Sequence, residues 1–282
     1  PAHPRHATAF PLTHAPGAPM LYDDQAAAFD ERAGVPPRAA EAIAAAVAEI
    51  VGAVDAQRWL DVGAGTGGLS LPMLRLPIRY TGFDRSAAML AVFRERAARE
   101  GLRADLHLAD GNERWPVEDA SVDVVFSARA LHHLDPGHAA AETRRVLRAP
   151  GGWLVLGRVR RPPDSPKSVL RRRMRQMLAA EGFAGRSHDA RADAVFAALE
   201  QTGGARLEPR VAARWTGQHR PADSLIAWEG KSGLAGLDLP AEVKARVLAG
   251  LRDWAAAELG DIDQPLPQDE AFELGAIRIP IR

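Results

Sequence analysis

A chain of 282 residues with 46% hydrophobic and 26% charged residues is long enough for one large domain or a domain with a lid; it excludes a collagen-like, low-complexity or mostly disordered protein. The absence of cysteine excludes a disulfide framework, a thiolate metal site and a cysteine nucleophile, and no metal is expected. The 36 basic and 36 acidic residues cancel, so bulk attraction to nucleic acid is not expected.

In chain order, residues 1–21 hold prolines and histidines without periodicity and read as a flexible arm. They show no basic-then-apolar leader pattern, and no apolar run is long enough to span a bilayer. The expectation is a cytoplasmic protein, a monomer or homodimer, that binds a small molecule and neither nucleic acid nor membrane. Residues 22–55 are expected to form two N-terminal helices, at 22–32 and 39–54; Ile43, Val47, Ile50, Val51 and Val54 of the second fall at helical spacing.

From residue 56 to 158 strands and helices alternate. Strands are expected at 58–62, 80–83, 105–108, 121–128 and 153–157. A short helix at 68–74 is limited by Pro72 and Pro77. Ser86 caps a helix that runs to about Glu100, with Gly101 beyond it. Asp135-Pro136 starts another, which ends before Pro150-Gly151-Gly152. Short apolar strands joined by helices describe an α/β fold: a Rossmann-like, open, mostly parallel sheet with helices on both faces.

After residue 158 the rhythm changes, and residues 159–282 read as a C-terminal part with lid or substrate helices and closing strands. Helices are expected from Ser165-Pro166, from Asp189, at 221–228 and at 240–259, and strands at 205–215 and 271–281. The helices 165–180 and 221–259, with 22–32, are candidates for a lid. Met174, Met177, Trp215, Trp228 and Trp254 fit a helical core better than a ligand pocket.

The densest information lies in residues 59–70, WLDVGAGTGGLS. Glycines 63, 65 and 67 permit a tight turn after a strand and let backbone N–H groups approach a ligand. The spacing G-x-G-x-G, with Asp61 two residues before the first glycine, suits a cationic ligand better than a dinucleotide pyrophosphate. Asp84 ends the next strand, 21 residues after Gly63, where a carboxylate can accept both hydroxyls of an unphosphorylated ribose. Asp110-Gly111 follows the third strand, placed to meet an exocyclic amine, although Asp-Gly is also a common turn.

LDVGAGTG, GFD, LADG, VEDASVDVVFSARALHHL and RRVLRAPGGWLVL, in that order, resemble the successive motifs of class I S-adenosylmethionine-dependent methyltransferases. The nearest likeness is the small-molecule branch that includes the ubiquinone and menaquinone C-methyltransferases, and it covers about residues 22–158. The resemblance implies a seven-stranded sheet with the last strand antiparallel, and S-adenosylmethionine as cofactor. It implies that Asp61, Gly63, Ala64, Gly65 and Gly67 hold the methionine portion, Asp84 with Arg85 the ribose, and Asp110 and Gly111 the adenine, and that Ser127 and Ala128 offer backbone to the amino-acid end. The stretch ARALHHL departs from the Arg-Asn element of the quinone enzymes, and no Asn/Asp-Pro-Pro-Tyr motif follows the fourth strand, as amino-group methylation of bases would require.

His132 and His133, after the fourth strand, are the candidate general bases. His107 is expected to be packed in its strand, and His219 to lie in a surface loop. Residues 158–175 hold eight basic residues and one acidic; residues 253–273 hold seven acidic and no basic. These runs either screen each other across the fold or, at Arg158, Arg160 or Arg161, meet an acidic substrate. The competing readings are a nicotinamide-dependent oxidoreductase and a non-catalytic S-adenosylmethionine-binding scaffold.

Overall fold

The computed structural model describes residues 35–183, 188–231 and 233–280, so the expected arm and the helix at 22–32 lie outside the described residues. Helix α1 spans Pro37–Val51; Pro37 costs nothing at the first turn, where its missing N–H has no partner to lose. It ends three residues before the expected Val54, because Gly52 turns left-handed (φ 60°) and its N–H returns to Ala48 and Glu49. Val54 is left 62% exposed.

Five strands follow: β1 (Arg58–Val62), β2 (Arg79–Asp84), β3 (Asp105–Leu108), β4 (Val124–Ala128) and β5 (Gly151–Arg160). They lie in the order β3-β2-β1-β4-β5, all parallel. Between them run α2 (Ala87–Arg99) and α3 (Pro136–Val146), capped as the sequence indicates. The Ser86 hydroxyl accepts the Met89 N–H, and Asp135 Oδ1 accepts the His138 N–H at 2.8 Å. The helix expected at 68–74 is a single 3₁₀ segment at Leu71–Arg75.

The C-terminal part supplies α4 (Pro166–Ala180), α5 (His188–Glu200), β6 (Ala205–Arg206), β7 (Arg210–His219), α6 (Pro221–Glu229), a small hairpin of β8 (Gly233–Leu234) and β9 (Leu237–Asp238), α7 (Ala241–Leu259) and β10 (Leu266–Pro280). β10 is antiparallel to β5, from Ala271 opposite Arg160 to Pro280 opposite Gly151. Its other edge carries β7 opposite 266–274 and β6 opposite 277–278. The one strand expected at 205–215 is thus two, interrupted at Leu207, Glu208 and Pro209; proline cannot donate to a ladder. Among the described residues the sheet has eight strands in place of seven, with β6 and β7 sharing one edge position.

Alternation along the strands sends side chains to two cores. Trp59, Val124, Phe126, Val155, Phe272 and Leu274 pack under α1 and α2, whereas Leu60, Val125, Leu154, Leu156, Ile277 and Ile279 pack under α3 and α5. Each such burial contributes about 1.5–3 kcal/mol. A third core joins α4, α6 and α7 through Leu170, Leu178, Leu225, Val247 and Leu251. Met174 and Trp228 are buried in it, Met177 and Trp254 pack on its rim, and Trp215 packs on the sheet, so this set serves the core. No helix among the described residues is long and apolar enough to cross a membrane.

Candidate functional site

The glycine turn leaves β1 at its carboxyl end. Gly63 (φ 78°) is required twice over: a Cβ there would lie 2.2 Å from the Ala130 side chain. Gly65 (φ 55°) has nothing within 4 Å of a notional Cβ and opens onto a cleft, leaving space where a ligand can reach the backbone. The cleft has a volume of about 300 Å³, at the low end of the range for small-ligand sites.

Asp61 lies beneath the turn, 2% exposed. Its Oδ2 accepts the Ser70 hydroxyl and, at 2.6 Å, the Tyr80 hydroxyl. Burial outweighs those bonds and raises its pKa to about 6. Burial, and then the nearby carboxylate, push the Tyr80 phenol upward. Asp84, at the end of β2, accepts the Gly65 N–H through Oδ2 and the Ser86 N–H through Oδ1, each at 2.9 Å. Burial raises its pKa too. One carboxylate thus fixes the glycine turn to the start of α2 and keeps lone pairs for a ligand, since each oxygen offers two acceptor sites.

Asp61, Gly63, Ala64, Gly65, Asp84, Arg85, Asp110 and Gly111 all line this one cleft, and His133 stands at it, on the 3₁₀ segment Leu131–His133. The His132 side chain lies outside the described residues. Two predicted residues fall elsewhere. Gly67 faces Phe93, where a Cβ would sit 2.2 Å from the ring, so it serves packing. Ser127 is buried and spends its hydroxyl on the Val62 carbonyl at 2.8 Å; it lines a neighbouring chamber. His107 is not packed: its side chain is 41% exposed on edge strand β3, 3.2 Å from Asp105. His219 is not in a loop: it is 8% exposed at the end of β7, 3.2 Å from the Ser224 hydroxyl. Burial there lowers its pKa to about 4, so it stays neutral.

Asn112 was not singled out by the sequence, yet it joins two walls of the cleft. Its Oδ1 accepts the Asp135 N–H at 2.8 Å and its Nδ2 donates to the His133 carbonyl at 3.4 Å. The Asp-Gly-Asn run was its only signal. Tyr80, which holds Asp61 together with Ser70, carried none, because its role depends on the pairing of β1 with β2.

A parallel sheet with Asp61 near the end of its first strand, a glycine turn after it, Asp84 closing the second strand and Asp110 following the third agrees with the arrangement that the resemblance to class I methyltransferases implied. Residues 60–156 match the family described as "Methyltransferase domain". Over 101 residues the chain is 40% identical to an uncharacterized methyltransferase of Mycobacterium tuberculosis, covering 36% of this chain and 39% of the relative. It is 28% identical over 119 residues to a ubiquinone biosynthesis O-methyltransferase of Bordetella bronchiseptica, covering 42% and 49%. The chain thus spans less than half the length of these curated relatives. Among solved structures it is similar to YcgJ of Bacillus subtilis (TM-score 0.54, 20% identical, covering 85% of this chain and 99% of the other). It is also similar to the [4+2]-cyclase SpnF (TM-score 0.51, 22% identical, covering 86% and 82%). These two show the shared fold. The family match is confined to residues 60–156, and the dehydrogenase alternative finds no support.

Proposed function

We propose that the chain is an S-adenosylmethionine-dependent methyltransferase that acts on a small molecule. The observation that carries this reading is the Asp84 carboxylate, clamped to the open glycine turn at Gly65 above the buried Asp61. These residues fit the cofactor of the domain class: Asp84 would accept the ribose hydroxyls, Asp61 would favour the cationic methionine end, and Asp110 with Gly111 would border the adenine. When bound, the cofactor supplies an electrophilic methyl group on a sulfonium, whose C–S electron pair stays on sulfur.

The chain's own work is then alignment and proton removal. The cleft walls hold the acceptor nucleophile in line at near-attack distance and exclude water. For a hydroxyl acceptor, His133 or His132 takes the departing proton; a neutral amine or an activated carbon needs alignment alone. Replacing the responsible histidine by alanine should lower the single-turnover rate about 10²–10⁴-fold with cofactor affinity unchanged. If both alanine variants keep near-normal rates across pH 6–9, neither is the base.

Calorimetric titration tests the cofactor assignment. Loss of hydrogen bonds to a charged acceptor costs about 1.5–3 kcal/mol. Asp84→Ala should therefore bind S-adenosylmethionine roughly tenfold to a hundredfold more weakly, and Asp84→Asn should lose less. Unchanged affinity would remove Asp84 from the site. Mass spectrometry of products formed from a metabolite extract then tests transfer itself.

A further inference from the structure

Beside the cofactor cleft lies a second and larger chamber of about 940 Å³. The end of β4 and the residues after it, 127–131, divide the two. Ser127 and Leu131 face the chamber, Ala128 and Ala130 the cleft, and Arg129 lines both. Ten arginine and lysine residues and no carboxylate line it among the described residues. Its opposite wall is α4, which turns Lys167, Arg171 and Arg175 toward the chamber at four-residue intervals and buries Leu170, Met174 and Leu178 against α6 and α7.

Some of this charge is neutralised within the fold. Glu273 accepts Arg158 at 2.6 Å and Arg160 at 3.1 Å, Glu270 accepts Arg161, and Asp193 accepts Arg206 at 2.9 Å. Lys167, Arg171 and Arg175 have no carboxylate within ion-pair distance among the described residues. Their charges therefore add to a field directed into this partly open cavity. Burial and the neighbouring Arg161 depress Lys167 to about 8 and Arg171 to about 10, and the more distant Glu270 offsets this only in part. Arg129 adds a left-handed backbone (φ 61°), an arrangement that is sterically unfavourable for a non-glycine residue. Strain of this kind gathers at ligand sites.

We propose that this chamber is the acceptor site and that it holds a small molecule through a phosphate or diphosphate group, gripped by Lys167, Arg171 and Arg175 with the reactive end directed past Arg129 toward the cofactor cleft. Arginine forks match phosphate oxygens in pairs, and a group of two or more negative charges answers an excess of several positive ones. The phosphate is a handle and is chemically unchanged by the transfer. The inference rests on the methyltransferase reading only for the word acceptor; the anion site stands on its own geometry.

The test is calorimetric titration of the full chain with sodium pyrophosphate, in parallel with S-adenosylmethionine. Pyrophosphate is expected to bind saturably at one site. The double variant K167Q/R171Q should weaken that binding tenfold or more while leaving cofactor affinity unchanged. R246Q, on the exposed Arg246–Glu181 pair outside the chamber, should change neither. If the double variant does not fold, R175Q alone carries the comparison, with a smaller loss expected. No saturable pyrophosphate binding, or binding unaffected by these variants, overturns the proposal. A single-stranded oligonucleotide or a phosphatidylglycerol vesicle that binds more tightly than pyrophosphate and is lost in the same variants also overturns it, in favour of a macromolecular or lipid polyanion. Pyrophosphate binding without cofactor binding would sustain the anion site and refute the methyltransferase reading; the reverse would do the opposite.

Discussion

Asp61 sets the pH response of the site. A carboxyl with its pKa raised to about 6 takes up a proton on folding, so its contribution to stability is fully present below the unfolded value near 3.8 and is lost as pH rises through 6. Ligand binding runs the other way. A cation beside Asp61 favours the charged form, so affinity for S-adenosylmethionine should level off near pH 7 and should fall as pH drops below 6. The limit is about tenfold per pH unit for one coupled proton. The cofactor's own amino and carboxyl groups, with ordinary values of about 8 and 3.5, change little in that window. Asp84, also raised by burial, titrates in the same direction. Asp61→Asn separates the two: it should bind more weakly at pH 7 and lose most of the slope between pH 5 and 7. A wild-type slope retained in that variant would assign the effect to Asp84. Asp61 itself was legible in the sequence from its place before the glycines. Its hydroxyl partners were not, since Tyr80 reaches it only across the β1–β2 pairing.

The elements follow local chemistry wherever one residue satisfies its own neighbours. The Asp135 cap is such a case: its carboxylate accepts an N–H three residues on, and Pro136 fixes the first turn of α3. Asp135→Ala should lower stability by about 1 kcal/mol, read as a shift in the urea midpoint, and Asp135→Asn should recover most of it. An unchanged midpoint in the alanine variant would mean that tertiary contacts alone hold α3. The elements that departed from expectation depend on distant partners. β5 runs three residues beyond Gly157 because β10 pairs with it across ten positions, and β10 begins at Leu266 because β7 is there to pair. Nothing within ten residues of either strand specifies those ends.

At the scale of the molecule, Glu270 ties three strands. Its side chain is 6% exposed, accepts Arg161 from just beyond β5, and accepts the Trp215 indole N–H from β7 at 2.9 Å and Gln268 from its own strand at 3.0 Å. Removing one member of a buried pair leaves the other uncompensated, at a cost of about 3–5 kcal/mol. Glu270→Gln should therefore lower stability by several kcal/mol in chemical denaturation, more than Glu49→Gln, whose partner Arg210 is exposed. Equal losses would show that Glu270 contributes no more than a surface pair. The sequence by itself determined the alternation of strands and helices, the glycine turn with Asp61 and Asp84, and the caps at Ser86 and Asp135, because each rests on residues close along the chain. It also displayed the basic run at 158–175 and the acidic run at 253–273. Only the tertiary structure divided them: Arg158, Arg160 and Arg161 meet Glu273 and Glu270 more than a hundred residues away, whereas Lys167, Arg171 and Arg175 turn into a chamber. Which charge is neutralised and which is left to act depends on the antiparallel entry of β10 beside β5, a long-range pairing that no local pattern encodes.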